Sequence, residues 1–168
     1  NTEPTKFWQE GAWSEYRGYP EHVTFFEQRF IAAKSQTIHG SVTGNFSDFE
    51  EGSLDDQAFS YTISSEQVDT IRWLNPGKQL LIGTASAEYV MSASSLGEAI
   101  TPDNVKISRE TAYGSSPCKP VRVGNAVMFM QRRGDPAQAQ WQLWQGRKGP
   151  RQTQGQQEQQ TQGSEAAK

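Results

Sequence analysis

Residues 70–113 read TIRWLNPGKQLLIGTASAEYVMSASSLGEAITPDNVKISRETAY, four short β-forming runs separated by turn chemistry. The first, TIRWL (70–74), is β-branched and aromatic. In the following Asn75-Pro76-Gly77-Lys78 turn, proline presets φ and glycine is expected to supply a positive φ. QLLIG (79–83) is apolar enough to be covered on both faces. EYVMSA (88–93) alternates, with Tyr89, Met91 and Ala93 on one face and Glu88, Val90 and Ser92 on the other. After a longer connection through Gly97 and Pro102, residues 105–111 set Val105 and Ile107 opposite Lys106 and Ser108. The stretch therefore predicts one complete four-stranded antiparallel unit.

The same pattern lies upstream in outline: HVTFF (22–26), a tight Glu27-Gln28-Arg29 connection, FIAA (30–33), TIHGSV (37–42), a polar loop over 44–57, and AFSYTIS (58–64) with Phe59, Tyr61 and Ile63 on one face. It begins once more downstream as PVRV (120–123), the turn Gly124-Asn125, and AVMFMQ (126–131). Aligning first strands on Val23, Ile71 and Val121 gives a repeat of about 50 residues with four strands per unit, the size of a β-propeller blade. The expected fold is thus all-β, a partial propeller of about two and a half four-stranded antiparallel blades over 21–64, 68–113 and 119–133. A β-sandwich, which also uses short strands at regular spacing, is the alternative.

Outside these units the chain changes character. Residues 1–20 mix Trp8, Trp13, Tyr16 and Tyr19 with Gly and Pro and read as a lead-in or linker whose aromatics pack on the first strands, an aromatic sugar-binding platform being the functional alternative. At Arg132 the β pattern stops. Residues 134–168 read as a basic, then Gln-rich tail, disordered beyond about Gly146, in which Trp141, Leu143 and Trp144 either dock a short segment on the body or have no partner. Low overall hydrophobic content, 34%, and a mean hydropathy of -0.76 agree with part of the chain lying outside any core. The net charge of -3 is uneven: residues 1–131 carry ten Lys and Arg against sixteen Asp and Glu, whereas 132–151 carry five basic residues against Asp135. Cys118 alone excludes an internal disulfide framework, and no apolar run approaches the roughly 20 residues that span a bilayer, so no membrane anchor is expected. A first residue of Asn rather than Met reads most simply as an excerpt of a longer protein.

Motifs for chemistry are sparse. Asp48, Glu50, Glu51, Asp55 and Asp56 share one loop but lack the spacing of a calcium loop, which makes a solvated loop the expectation and a metal site the alternative. His22 and His39 lack zinc-type partners. Gly77, Gly83, Gly114 and Gly124 read as turn residues, since no helix start follows any of them to cradle phosphate. Ser64, Ser65, Ser115 and Ser116 have no G-x-S-x-G context, and the paired carboxylates of a glycosidase have no recognisable signature. No catalytic, cofactor-binding or metal-ligating residue is assigned, and an enzyme is not expected.

The ordered series RGYP (17–20), FFEQRF (25–30), GTASAEY (83–89), TPDNV (101–105), YGS (113–115) and VRVGNAV (121–127) resembles the propeller-bearing tail proteins of short-tailed bacteriophages and prophages, related to the tail nozzle or tail tubular protein B family. The resemblance covers roughly 11–133. It departs at Gly134, where the family continues into further blade strands and this chain becomes Gln-rich. It implies a structural component of a virion tail, made in the host cytoplasm. Identical copies, commonly six, would form a ring below a tail adaptor protein, with a channel for genome ejection and possible contact with the host surface. An acidic body suits a channel that must release DNA. A virion receptor- or carbohydrate-binding propeller module is the alternative.

A propeller closes with roughly 4–8 blades. Two and a half leave the first and last sheets uncovered, and the expected open faces are those bearing Val23, Phe25 and Phe30 and those bearing Val127 and Phe129.

Overall fold

The computed structural model describes residues 11–64, 68–95 and 97–132, and residues 141–144 by their backbone. Among these the chain is all-β with no helix, in three antiparallel sheets. The first is the meander β1 (His22–Phe26), β2 (Arg29–Lys34), β3 (Thr37–Gly40) and β4 (Phe59–Thr62). The second is β5 (Ile71–Asn75), β6 (Leu80–Thr84), β7 (Glu88–Ala93) and β8 (Val105–Thr111). The third is built on the β9 (Val121–Val123) and β10 (Ala126–Met130) hairpin, with β11 (Trp141–Trp144) along the other edge of β10. The strands of residues 22–26, 88–93 and 105–111 have the bounds read from their alternation.

β11 agrees with the first of the two alternatives read for Trp141, Leu143 and Trp144, a short segment docked on the body. It falls inside the segment assigned to the tail, yet pairs with β10 in the register Met130↔Trp141 to Val127↔Trp144. Trp-Gln-Leu-Trp has the aromatic, alternating composition of a strand even within a Gln-rich setting. The expectations for Trp8 and for disorder beyond Gly146 lie outside the described residues.

The sheets pack face to face in chain order. Ile31, Ala33, Ile38 and Phe59 of the first meet Ile71, Leu80, Ile82, Tyr89 and Met91 of the second. The opposite face of the second sheet, Trp73, Leu81 and Val90, meets Val127 and Phe129 of the third. Every residue of β6 is consequently buried. The two four-stranded sheets approach through their first strands, β1 beside β5. They are tied through Ile71 N–H to Ser35 O (2.7 Å) and Tyr61 Oη–H to Pro102 O (2.9 Å).

This order corrects the sequence reading of the third sheet. Val127 and Phe129 are buried, and its outward face carries Val121 and Val123. The hairpin register Val127↔Arg122 and Met128↔Val121 explains the reversal. It puts Arg122 on the inner face with Val127, where its guanidinium donates to Asn75 Oδ1 (3.0 Å) and Pro76 O. The first sheet is open as expected at Val23 and Phe25.

Two glycines act differently from the expectation. Gly77 is not among the residues with positive φ, and a Cβ there would stand 2.5 Å from Arg122 Nη2, so its value is close approach. Gly83 lies within β6 opposite Trp73, whose ring occupies the space a side chain would need, 2.0 Å from an added Cβ. Gly114 and Gly124 do adopt positive φ, at 72° and 59°.

Candidate functional site

GTASAEY, the densest part of the series, runs from the end of β6 through a tight connection into β7. Its polar side chains serve two buried carboxylates. Asp69 is fully buried before β5. Its Oδ1 accepts from Ser86 N–H (2.8 Å), and its Oδ2 accepts from Ser86 Oγ and Thr84 Oγ1 (2.7 Å each). The Tyr89 phenol is pushed above its ordinary pKa by burial first and then by the Asp69 charge. Glu88, buried at the start of β7, accepts from Ser115 Oγ (2.8 Å) and Thr111 Oγ1.

The chemistry of this arrangement is cohesive. Both carboxylates are filled by hydroxyl and amide donors, and each such charge-assisted bond in a dry interior is worth about 1.5–3 kcal/mol. Ser115 donates directly to Glu88 with no histidine relay, the element that activates a serine nucleophile. His22 and His39 lie in the first sheet, on β1 and β3. The bonds join residues distant in the chain, Asp69 before β5 with Thr84 and Ser86, and Glu88 with Thr111 and with Ser115 after β8. Their only sequence signal is a run of small hydroxyl residues beside acids.

The acidic loop has an unexpected organiser. Arg29, read as part of a tight connection, opens β2 and is almost fully buried. Nη1 donates to Ser41 O (2.7 Å) and Gln57 O (2.6 Å), Nη2 donates to Asp55 O (2.6 Å), and the group lies 5.4 Å from the Phe59 ring centroid. Burial lowers the Arg29 pKa, opposed by the charges of Asp56 and Glu27. The loop thus turns its carbonyls inward onto one guanidinium, and Asp55 and Asp56 line a cleft of about 830 Å³ with Glu27, Glu98 and Asp103. Among the described residues no group of three or more His, Cys, Asp or Glu is placed to hold a metal ion.

Strand direction gathers this acidity at one end of the molecule. The β1–β2, β3–β4, β5–β6, β7–β8 and β9–β10 connections all emerge there, and together carry Glu27, the five loop acids, Glu98 and Asp103 against Lys78 alone. The β1–β2 turn is fixed to this end although Glu27 and Gln28 both take positive φ (46° and 59°), a conformation costly for side-chain-bearing residues. Glu27 Oε2 accepts from Ile100 N–H (2.7 Å) and Gln28 O accepts from Gly44 N–H (2.9 Å), contacts that hold the turn in place.

The outward face of the first sheet carries a continuous aromatic run. Phe46, Phe25, Phe30, Phe49, Trp13 and His39 meet successively edge to face, at centroid distances of 5.1 Å (Phe46–Phe25), 5.5 Å (Phe25–Phe30), 6.2 Å (Phe30–Phe49), 5.7 Å (Phe49–Trp13) and 4.8 Å (Trp13–His39). Trp13 packs on the first sheet as the lead-in reading expects, but Tyr16 and Tyr19 face solvent. His39, half-buried beneath Trp13, is held below its ordinary pKa by burial, with Glu51 opposing and Lys34 reinforcing. The run is covered at its Trp13 end and open at Phe25, which is 60% exposed.

No protein-family model matches the chain, and no curated protein matches it.

Proposed function

We propose that the chain is a non-catalytic structural component of a short-tailed bacteriophage or prophage tail, part of a nozzle-type ring protein whose sheets are successive blades of a β-propeller. One observation carries the reading: residues of the ordered series hydrogen-bond across the turns, strands and sheets of the body. GTASAEY and YGS supply the hydroxyls, the acid and the tight glycines around Asp69 and Glu88. TPDNV forms a turn closed by Thr101 N–H to Asn104 Oδ1 (2.8 Å), with Pro102 O receiving Tyr61. FFEQRF supplies both Glu27, which reaches the second sheet, and Arg29. The approach of first strands β1 and β5, with faces stacked in order, fits blades around an axis. The acidic loop end fits a wall that does not hold DNA phosphates. In this reading the partners are identical copies in a ring, a tail adaptor protein and DNA in transit, and the chain resides in the virion tail after assembly in the host cytoplasm.

A virion carbohydrate-binding module is the second reading, favoured by the solvent-facing Tyr16, Tyr19 and Phe25. Antibody labelling of purified virions from the source separates the two. Labels at the neck-proximal tail with no glycan binding and no glycan turnover are expected; absence from virions, or saturable glycan binding, would overturn the ring reading.

A further inference from the structure

We propose that the lead-in segment of residues 11–20 is a pH-sensitive strap, docked on the first sheet while His39 is neutral and released from it on mild acidification. The inference is independent of the ring reading and rests on the contacts that cover His39.

The segment meets the sheet through Trp13 and Gly18. Trp13 packs edge to face with His39 of β3 (centroids 4.8 Å apart, planes at 81°) and with Phe49 (5.7 Å). Gly18 takes φ 79°, and a Cβ there would stand 2.4 Å from Lys34 Nζ, so the chain lies directly on the ammonium at the end of β2. Between these contacts the chain folds on itself, Gly18 N–H donating to Ser14 O (2.6 Å) and Arg17 N–H to Ser14 Oγ (2.9 Å). Glu21 N–H then donates to Ala33 O (2.9 Å) as the chain enters β1.

His39 is the group in this contact whose charge changes near neutrality. It is half-buried, and in the sheet register it is flanked by Ala32 of β2 and Ser60 of β4, neither of which titrates. Trp13 and Phe49 are uncharged, and the lead-in's Glu15 and Arg17 are exposed at the turn. The charges that act on the imidazole are Lys34 on β2 and Glu51 in the acidic loop. Burial first, then Lys34, disfavours the imidazolium, Glu51 favours it, and the balance holds His39 below its ordinary pKa. A proton on His39 thus places a second cation beside Lys34 under the strap, and lifting Trp13 lets water reach it.

With the strap released, His39 returns towards the ordinary value of about 6.5, above its value in the docked form. The released form therefore binds the proton more readily. Docking is at full strength above about pH 6.5 and weakens below it, by up to about tenfold between pH 7.5 and 5.5. Lys34 enlarges this response and Glu51 limits it.

Amide hydrogen exchange of the full 168-residue chain, read by NMR from pH 7.5 to 5.5 and divided by the intrinsic rate at each pH, is the test. Protection of the Gly18 and Glu21 amides should fall by up to about tenfold on acidification. At every pH it should stay below that of Leu80–Thr84, the mark of a release that leaves the sheets folded. The Val121–Val123 amides, whose local opening leaves His39 covered, should stay within about twofold. His39→Gln should make the Gly18 and Glu21 protection flat with pH. Glu51→Gln, a change to an exposed side chain, should deepen the fall. Protection of Gly18 and Glu21 that is flat in the wild type, that falls equally in His39→Gln, or that equals that of Leu80–Thr84 overturns the inference.

Discussion

Among the described residues the second sheet has a sheet against each face and the first has a sheet against only one, and this difference orders much of the molecule. β6 is buried throughout and reads in the sequence as an uninterrupted apolar run, LLIGT. β1, by contrast, alternates exposed and partly buried residues until Phe26. The buried hydroxyl–carboxylate bonds gather around the second sheet, whereas the outward first sheet is finished with aromatic rings and a lead-in segment. Apolar area between sheets supplies most of the cohesion, and polar contacts fix register where strands turn. Side chains should therefore matter according to the number of sheets that enclose them.

The largest effect is expected at the junctions of the second sheet. Phe129→Ala or Ile82→Ala removes a fully enclosed side chain and should cost about 3–5 kcal/mol and about 2–5 kcal/mol, respectively. Val23→Ala on the open face should stay within about 0.5 kcal/mol. Chemical denaturation of the three variants measures the contrast, and equal losses would break it. Arg29→Met comes next, at about 3 kcal/mol, because it strands inward-facing carbonyls of the acidic loop. Proteolysis of the variant should begin within residues 41–58. Asp69→Asn follows at about 2 kcal/mol, since an amide cannot accept all the donors that converge on the carboxylate. Gln28→Gly should stabilise by about 0.4–1 kcal/mol by relieving a left-handed conformation while leaving the main-chain bond to Gly44 intact.

The smallest effect is the pH response of His39. Its folded-state pKa is depressed, so the unfolded chain binds the proton more readily. The stability contributed by neutral His39 is complete above the unfolded value of about 6.5 and is lost as pH falls below it. On acidification from pH 7.5 to 5.5 the wild-type melting temperature should drop more than that of His39→Gln, and parallel curves would contradict the assignment.

Strand positions were legible because each alternation of residue type lies within a handful of consecutive residues, as in EYVMSA and VKISRET. Which face of a strand is covered was not. Val127 and Phe129 were expected on the uncovered face of the last sheet, while the hairpin register sets them with Arg122 on its inner side. Gly77 looks like a positive-φ turn residue in sequence, and only the distant Arg122 reveals its steric role. The bonds of Asp69 to Ser86 and of Glu88 to Ser115 span 17 and 27 residues, too far for a local pattern to announce. β11 was obscured by its surroundings, four strand-forming residues in a polar, Gln-rich context.

Native-state hydrogen exchange of the full chain tests most directly the claim that stability is centred on the doubly covered sheet. The amides of Leu80–Thr84 and of residues 89–91 should exchange slowest, with those of His22–Phe26 and Val121–Val123 exchanging at least tenfold faster. Uniform protection across the three sheets, or protection greatest in the first, would contradict it.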